Sequence, residues 1–281
     1  MSHLRTEIKG ESLNRAENKG EVTSAQPPSS EPGIDSQASS HSSDNHEHRS
    51  HGELLNNIYS LQRHFYDVTR KYYLFGRDHI LKEIIASRPE SLLEIGCGTG
   101  RNLFILERMV QASVQAGHTT QAPELFGLDA STEMLAYAKK HQPTKSQIHF
   151  AYGYAESFGP SELFSRGTFS DILFSYSLSM IPESILALNH ALTLIPKGGR
   201  VWIVDFWDQS GYPIWFQKLL QWWLRLFHVE FSPELFSHIK ALPDQWSSID
   251  TLRKHGAYSV SLRPVGRKYG YLACITRDAT N

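Results

Sequence analysis

An α/β domain with a mostly parallel sheet and helices on both faces is what the sequence predicts. Three observations carry that expectation. Short apolar strands alternate with helical stretches from residue 91 to about residue 206. The first strand runs straight into a glycine-rich turn, Gly96-Cys97-Gly98-Thr99-Gly100, and a helix opens at Arg101. Polar groups gather where strands end, at Asp129, Ser175 and Asp205. Alternation of this kind implies right-handed crossovers, hence a parallel sheet covered on both sides.

The elements follow in order. From Leu54 to about Ala86 the chain reads as mainly helical, with Tyr59, Phe65, Tyr66, Tyr72 and Tyr73 among charged residues and a break at Gly76. The first strand is Ser91 to Ile95, and its helix begins Arg101-Asn102-Leu103-Phe104. Gln111 to Ala122 is polar and reads as a loop insertion. Strand two, Glu124 to Asp129, precedes a helix from Thr132 to Lys140. Strand three is Gln147 to Tyr152. Strand four, Asp171 to Ser175, precedes a helix from Pro182 to Leu194. Strand five, Arg200 to Phe206, follows the turn Pro196-Lys197-Gly198-Gly199. Tyr258 to Arg263 and Tyr269 to Ile275 read as two final strands joined by a short turn.

Composition sets the outer limits. Residues 1–52 hold no aromatic residue and few aliphatics, and are rich in Ser, Glu, Asn, Gly and His. Such a segment buries too little apolar surface to offset its ordering entropy, so a disordered polar tail is expected there. Its start lacks the apolar core of a secretory signal. Residues 53–281 are the right size for one domain. Two cysteines, Cys97 and Cys274, give no disulfide framework and fit a reducing, cytoplasmic setting. A formal net charge of −1 argues against a nucleic-acid partner held through phosphates. Four histidines in one run of the tail, His41, His46, His48 and His51, have nothing to fix ligand geometry, so no metal site is expected.

The glycine turn carries the chemistry. Glycine lets the backbone pass close to a ligand and adopt positive φ at little cost. A dinucleotide site uses G-x-G-x-x-G. Here the spacing is G-x-G-x-G, and Glu94 stands two residues before the first glycine. A carboxylate there suits a cationic amine and repels a diphosphate. The pattern resembles the first motif of class I S-adenosylmethionine (SAM) methyltransferases. That resemblance implies SAM as cofactor, a Rossmann-like sheet of seven strands and a terminal antiparallel hairpin. Glu94, Gly96, Cys97, Gly98 and Gly100 become cofactor candidates, with Glu94 reaching the amine through the turn or a water. Asp129, followed by Ala130, suits the ribose hydroxyls. Capping the next helix is the other role for Asp129, although Ser131 can serve there. The loop with Ala155 and Glu156 corresponds to the adenine side; a solvated loop acid is the plainer reading of Glu156. Ser175 and Tyr176 fall beside the reacting methyl, where Tyr176 is equally readable as a core aromatic.

Three further segments resemble the N-methyltransferase of bacterial betaine-lipid synthesis: Arg63 to Asp78, Ser175 to Pro182, and Val204 to Gln209 with Trp215-Phe216 and Phe227-His228-Val229. That family trimethylates the amine of diacylglyceryl-homoserine with three SAM molecules. The resemblance adds Tyr73 and Arg77 to the cofactor candidates. Arg77, or else Arg70, pairs with a carboxylate of SAM or of the homoserine, unless a surface acid holds it. A separate aminocarboxypropyl transferase would be the functional partner making the precursor. A class I enzyme acting on a small amphipathic acceptor, such as a quinone precursor, shares the same cofactor features.

A lipid-like acceptor also fits the residues themselves. Five of the six tryptophans lie between Trp202 and Trp223. Pro213 to Phe227 reads as a helix whose polar stripe is Gln217, Gln221 and Arg225 with Lys218 beside it. The rest is apolar, wider than one domain usually covers. Residues from about 207 to 250 therefore read as a lipid-facing insertion, lining an acyl cleft or lying at the inner membrane face. Burial on two sides, or a dimer contact, is the alternative. Methyl transfer needs alignment and water exclusion more than covalent catalysis. Tyr176 and Asp205 are the candidates to orient or deprotonate an amine acceptor.

Overall fold

The structure, a computed structural model, describes residues 74–117, 122–225 and 231–279. The polar tail, the helix expected from Leu54 up to Tyr73, Arg70 and Tyr73 themselves lie outside the described residues.

The chain runs α1 (Arg77–Ala86), β1 (Ser91–Ile95), α2 (Arg101–Gln115), β2 (Glu124–Asp129), α3 (Thr132–His141), β3 (His149–Tyr152), α4 (Pro160–Phe164) and β4 (Asp171–Ser175). It continues through α5 (Ser184–Thr193), β5 (Arg200–Phe206), α6 (Ile214–Arg225), α7 (Pro233–Gln245), β6 (Tyr258–Val265) and β7 (Gly270–Arg277). One sheet of seven strands forms in the order β3-β2-β1-β4-β5-β7-β6. The first five are parallel, and β7 pairs antiparallel with both β5 and β6. This is the Rossmann-like arrangement expected, including the terminal hairpin.

Strand character follows from burial on both faces. All five residues of β1 and of β4 are buried. Parallel strands covered on both sides read as continuous apolar runs, as Ile172-Leu173-Phe174 and Val201 to Val204 do. The strand order reverses between β1 and β4, because the chain builds outward to β3 and then returns. Ligands in open α/β sheets bind beyond the carboxyl ends of the strands at such a reversal. The glycine turn after β1 and the loop after β4 meet there.

Several elements differ from expectation. Helix α2 continues to Gln115, so Gln111 to Gln115 are helical and not part of a loop insertion. Their polarity fits a helix end facing water. Strand β3 begins at His149, and α5 begins two residues later than expected, at Ser184. The stretch 207–250 is not uniformly outward-facing. It contains α7, whose Leu235, Ile239 and Leu242 are buried against the main core. Among the described residues, no helix is long and apolar enough to cross a membrane.

Candidate active site

Three glycines shape the turn. Gly96, Gly98 and Gly100 have φ of 74°, 54° and 76°. At Gly96 a Cβ would lie 2.5 Å from the Ser177 Cβ, so the β4 loop packs directly on the bend. Ser177 Oγ also donates to the Ile95 carbonyl at 2.8 Å. The N–H groups of Gly96 and Cys97 both donate to Leu128 O, at 2.8 and 3.0 Å. Asp129 completes the clasp: Oδ2 accepts from Gly98 N at 2.6 Å and Oδ1 from Ser131 N at 2.8 Å. Ser131 itself caps α3 by accepting from Met134 N. Capping therefore falls to Ser131, and the half-buried Asp129 carboxylate stands over the turn. Ala130 beside it is exposed.

The side chain of Cys97 is buried and packs into the core with Leu103. Burial, reinforced by the negative charges of Asp129 and Glu94, pushes its thiol pKa well up. It is a neutral packing group, and its contribution to the site is the backbone of the turn.

Glu94 is sealed at the end of β1, 1% exposed. Its Oε1 accepts from Asn102 Nδ2 at 2.6 Å. Asn102, in the first turn of α2 and also buried, accepts from Arg77 Nη2 at 2.9 Å through Oδ1. Arg101 Nη1 shares that oxygen at 3.3 Å and forms an ion pair with Asp78 at 3.1 Å. An amide thus relays between a buried carboxylate and a guanidinium, which compensates both charges. Sequence reading missed Asn102. The available signal was an uncapped polar residue on the buried face of a helix, eight positions beyond Glu94.

At the ends of β4 and β5, Ser175, Tyr176 and Asp205 are all buried. Among the described residues, Ser175 Oγ has no hydrogen-bond partner. Tyr176 sits at φ 55°, its hydroxyl donating to Phe75 O at 2.5 Å. Burial, with the nearby charges of Tyr269 and Asp205, raises its pKa well above the usual value. The hydroxyl keeps its proton at neutral pH. Asp205 accepts from Ser179 N through Oδ2 and from Phe206 N through Oδ1, at 2.9 and 2.8 Å. Desolvation pushes its pKa up to about 6, against the pull of those hydrogen bonds. Both carboxylate oxygens are engaged with backbone, so Asp205 fixes the β4 loop.

In the loop after β3, Ala155 is buried and Glu156 is half-buried, within electrostatic reach of His190. Tyr152 and Tyr154 stand exposed beside them, their hydroxyls 3.1 Å apart. Among the described residues no group of three or more His, Cys, Asp or Glu could hold a metal ion.

A glycine bend at the reversal of a seven-stranded sheet, backed by a buried acid and faced by a second one, defines a Rossmann-like methyltransferase. The family described as a methyltransferase domain matches residues 87–255, and the chain belongs to it. It is 27% identical over 120 residues to an arsenite methyltransferase of Aquipseudomonas alcaligenes, covering 41% of this chain and 32% of that one. It is 26% identical over 149 residues to a demethylmenaquinone methyltransferase of Staphylococcus haemolyticus, covering 53% of each. The chain thus spans between about a third and about half the length of these two curated relatives. A solved SAM-dependent methyltransferase from Thermotoga maritima, described as a possible histamine N-methyltransferase, shares the fold. Its TM-score is 0.51 at 18% identity, over 79% of this chain and 99% of that one.

Proposed function

We propose that the protein is a SAM-dependent N-methyltransferase that trimethylates the homoserine amine of diacylglyceryl-homoserine. The observation that carries the cofactor assignment is Glu94, a sealed carboxylate directly behind three positive-φ glycines. Support for the acceptor comes from the segments resembling the betaine-lipid enzyme and from the apolar helix α6.

Bound SAM supplies a methyl group already activated by its sulfonium. The chain holds and orients. Glu94 and Arg77, joined through Asn102, complement the ammonium and carboxylate of the methionine moiety. Asp129 accepts the ribose hydroxyls, and Ala155 with Glu156 borders the adenine. Ser175 offers a hydroxyl unpaired among the described residues at the acceptor end. Tyr176 and Asp205 shape that end, the former retaining its proton. An α-amino group titrates near ~8, so a useful neutral fraction of the acceptor exists without a strong base. Alignment and exclusion of water are what remain for the protein.

The second reading is methylation of a quinone precursor, favoured by the similarity to a demethylmenaquinone methyltransferase. Incubation with labelled SAM and a lipid extract separates the two. Label in an aminolipid head group supports the first, label in a quinone supports the second, and absence of SAM binding removes both.

A further inference from the structure

The outer side of α6 is bare. Ile214, Trp215, Leu219 and Trp222 are 65%, 66%, 53% and 61% exposed, whereas Leu224 on the inner side is 4% exposed. Trp215, Leu219 and Trp222 fall at i, i+4 and i+7 and share one face. Lys218, also exposed, stands among them, and α6 contains no acidic residue.

The segment leading into α6 is stitched to the tip of the β6–β7 hairpin. Gln209 N donates to Lys268 O at 2.9 Å, and the Tyr212 hydroxyl donates to Gly266 O at 2.9 Å. Gln217 Nε2 then holds Tyr212 O at 2.7 Å, tying the helix to the same tip. The tip residues Arg267 and Lys268 are exposed, at φ 52° and 62°. The backbone of two cationic residues is therefore held beside the start of α6, whose exposed face carries a third cation.

We propose that this surface, the outer row of α6 with the Arg267–Lys268 tip, docks on an anionic lipid bilayer. Tryptophan and lysine side chains favour the head-group level, where indole rings sit between oil and water and cations meet lipid phosphates. The helix has 12 residues, about 18 Å long, so it lies along the interface and does not span it. A symmetric contact with a second copy brings the same patch to itself across a two-fold axis. Lys218, Arg267 and Lys268 would then face like charges. The inference deepens the proposed function by stating how the protein reaches an acceptor that resides in a membrane.

The test is co-sedimentation of the full chain with vesicles of phosphatidylcholine containing phosphatidylglycerol, against phosphatidylcholine alone. Association with the anionic vesicles is expected, with affinity about tenfold lower in R267E/K268E and lost in W215S/W222S. Both variants should keep the wild-type thermal shift on adding SAM, which shows that they are folded. No association with either vesicle overturns the proposal, as does equal binding that neither variant weakens. A dimer that W215S/W222S dissociates, without vesicle binding, assigns the face to a second copy and also overturns it. Labelled-SAM turnover on a dispersed short-chain aminolipid is measured in parallel. Turnover without vesicle binding defeats the docking surface alone, and vesicle binding without turnover defeats the acceptor assignment alone.

Discussion

Asn102 holds Glu94 from across the glycine bend, its Nδ2 lying 2.6 Å from the carboxylate, while its own oxygen is held by Arg77. A residue in a helix's first turn thereby sets the orientation of an acid in the preceding strand. Asn102→Leu leaves the buried carboxylate without that donor, a loss of ~1–3 kcal/mol in stability. SAM affinity should fall about tenfold with it. Glu94→Gln keeps the shape and removes the charge, so its affinity should fall by about tenfold with little change in stability. Calorimetry with SAM and chemical denaturation measure the two effects separately.

Gly96 cannot carry a side chain. Its φ of 74° and its contact with Ser177 act together. Gly96→Ala should cost ~1–2 kcal/mol from backbone strain alone, with the clash added to it. Thermal denaturation with and without SAM should show lower stability and a smaller ligand-induced shift. An unchanged melting temperature would contradict the close packing of the β4 loop.

Asp205 predicts a pH signature. Its pKa in the fold is about 6, above the ~3.9 of an unfolded aspartate. The folded state therefore favours the protonated form. The stabilisation is complete below about pH 4 and is lost as pH rises through about 6. Asp205→Asn removes this slope. Relative to its own stability at about pH 4, the variant should gain ~2 kcal/mol on the parent by neutral pH. Urea denaturation across that range measures it; parallel curves would show that Asp205 does not titrate there.

Ser175 predicts a split between stability and function. Its buried hydroxyl has no hydrogen-bond partner among the described residues. Ser175→Ala should leave stability within ~0.5 kcal/mol or raise it. If the hydroxyl meets the acceptor, turnover should fall while SAM affinity holds. Steady-state kinetics beside SAM calorimetry gives the answer.

The strands were legible because burial on both faces writes itself as apolar runs, as in Leu92-Leu93 and Ile172-Leu173-Phe174. The bend was legible because only glycine tolerates its geometry. Helix α7 was not, since Pro233 and Pro243 lie at its first and last turns and conceal a buried row of Leu235, Ile239 and Leu242. Polar residues at the end of α2 likewise hid helix behind a loop-like composition. The link from Arg77 to Asn102, 25 positions apart, leaves no local trace. The inward turn of the Cys97 thiol is decided by tertiary packing around Leu103 and Gly127.

The clasp of Asp129 by Gly98 and Ser131 has a kinetic corollary. A carboxylate pinned at both oxygens has already surrendered its rotamer freedom, so capture of a nucleoside there demands little further ordering. Recognition should then proceed as a key enters a finished lock, and entry should be governed by diffusion and desolvation instead of by rearrangement of the bend.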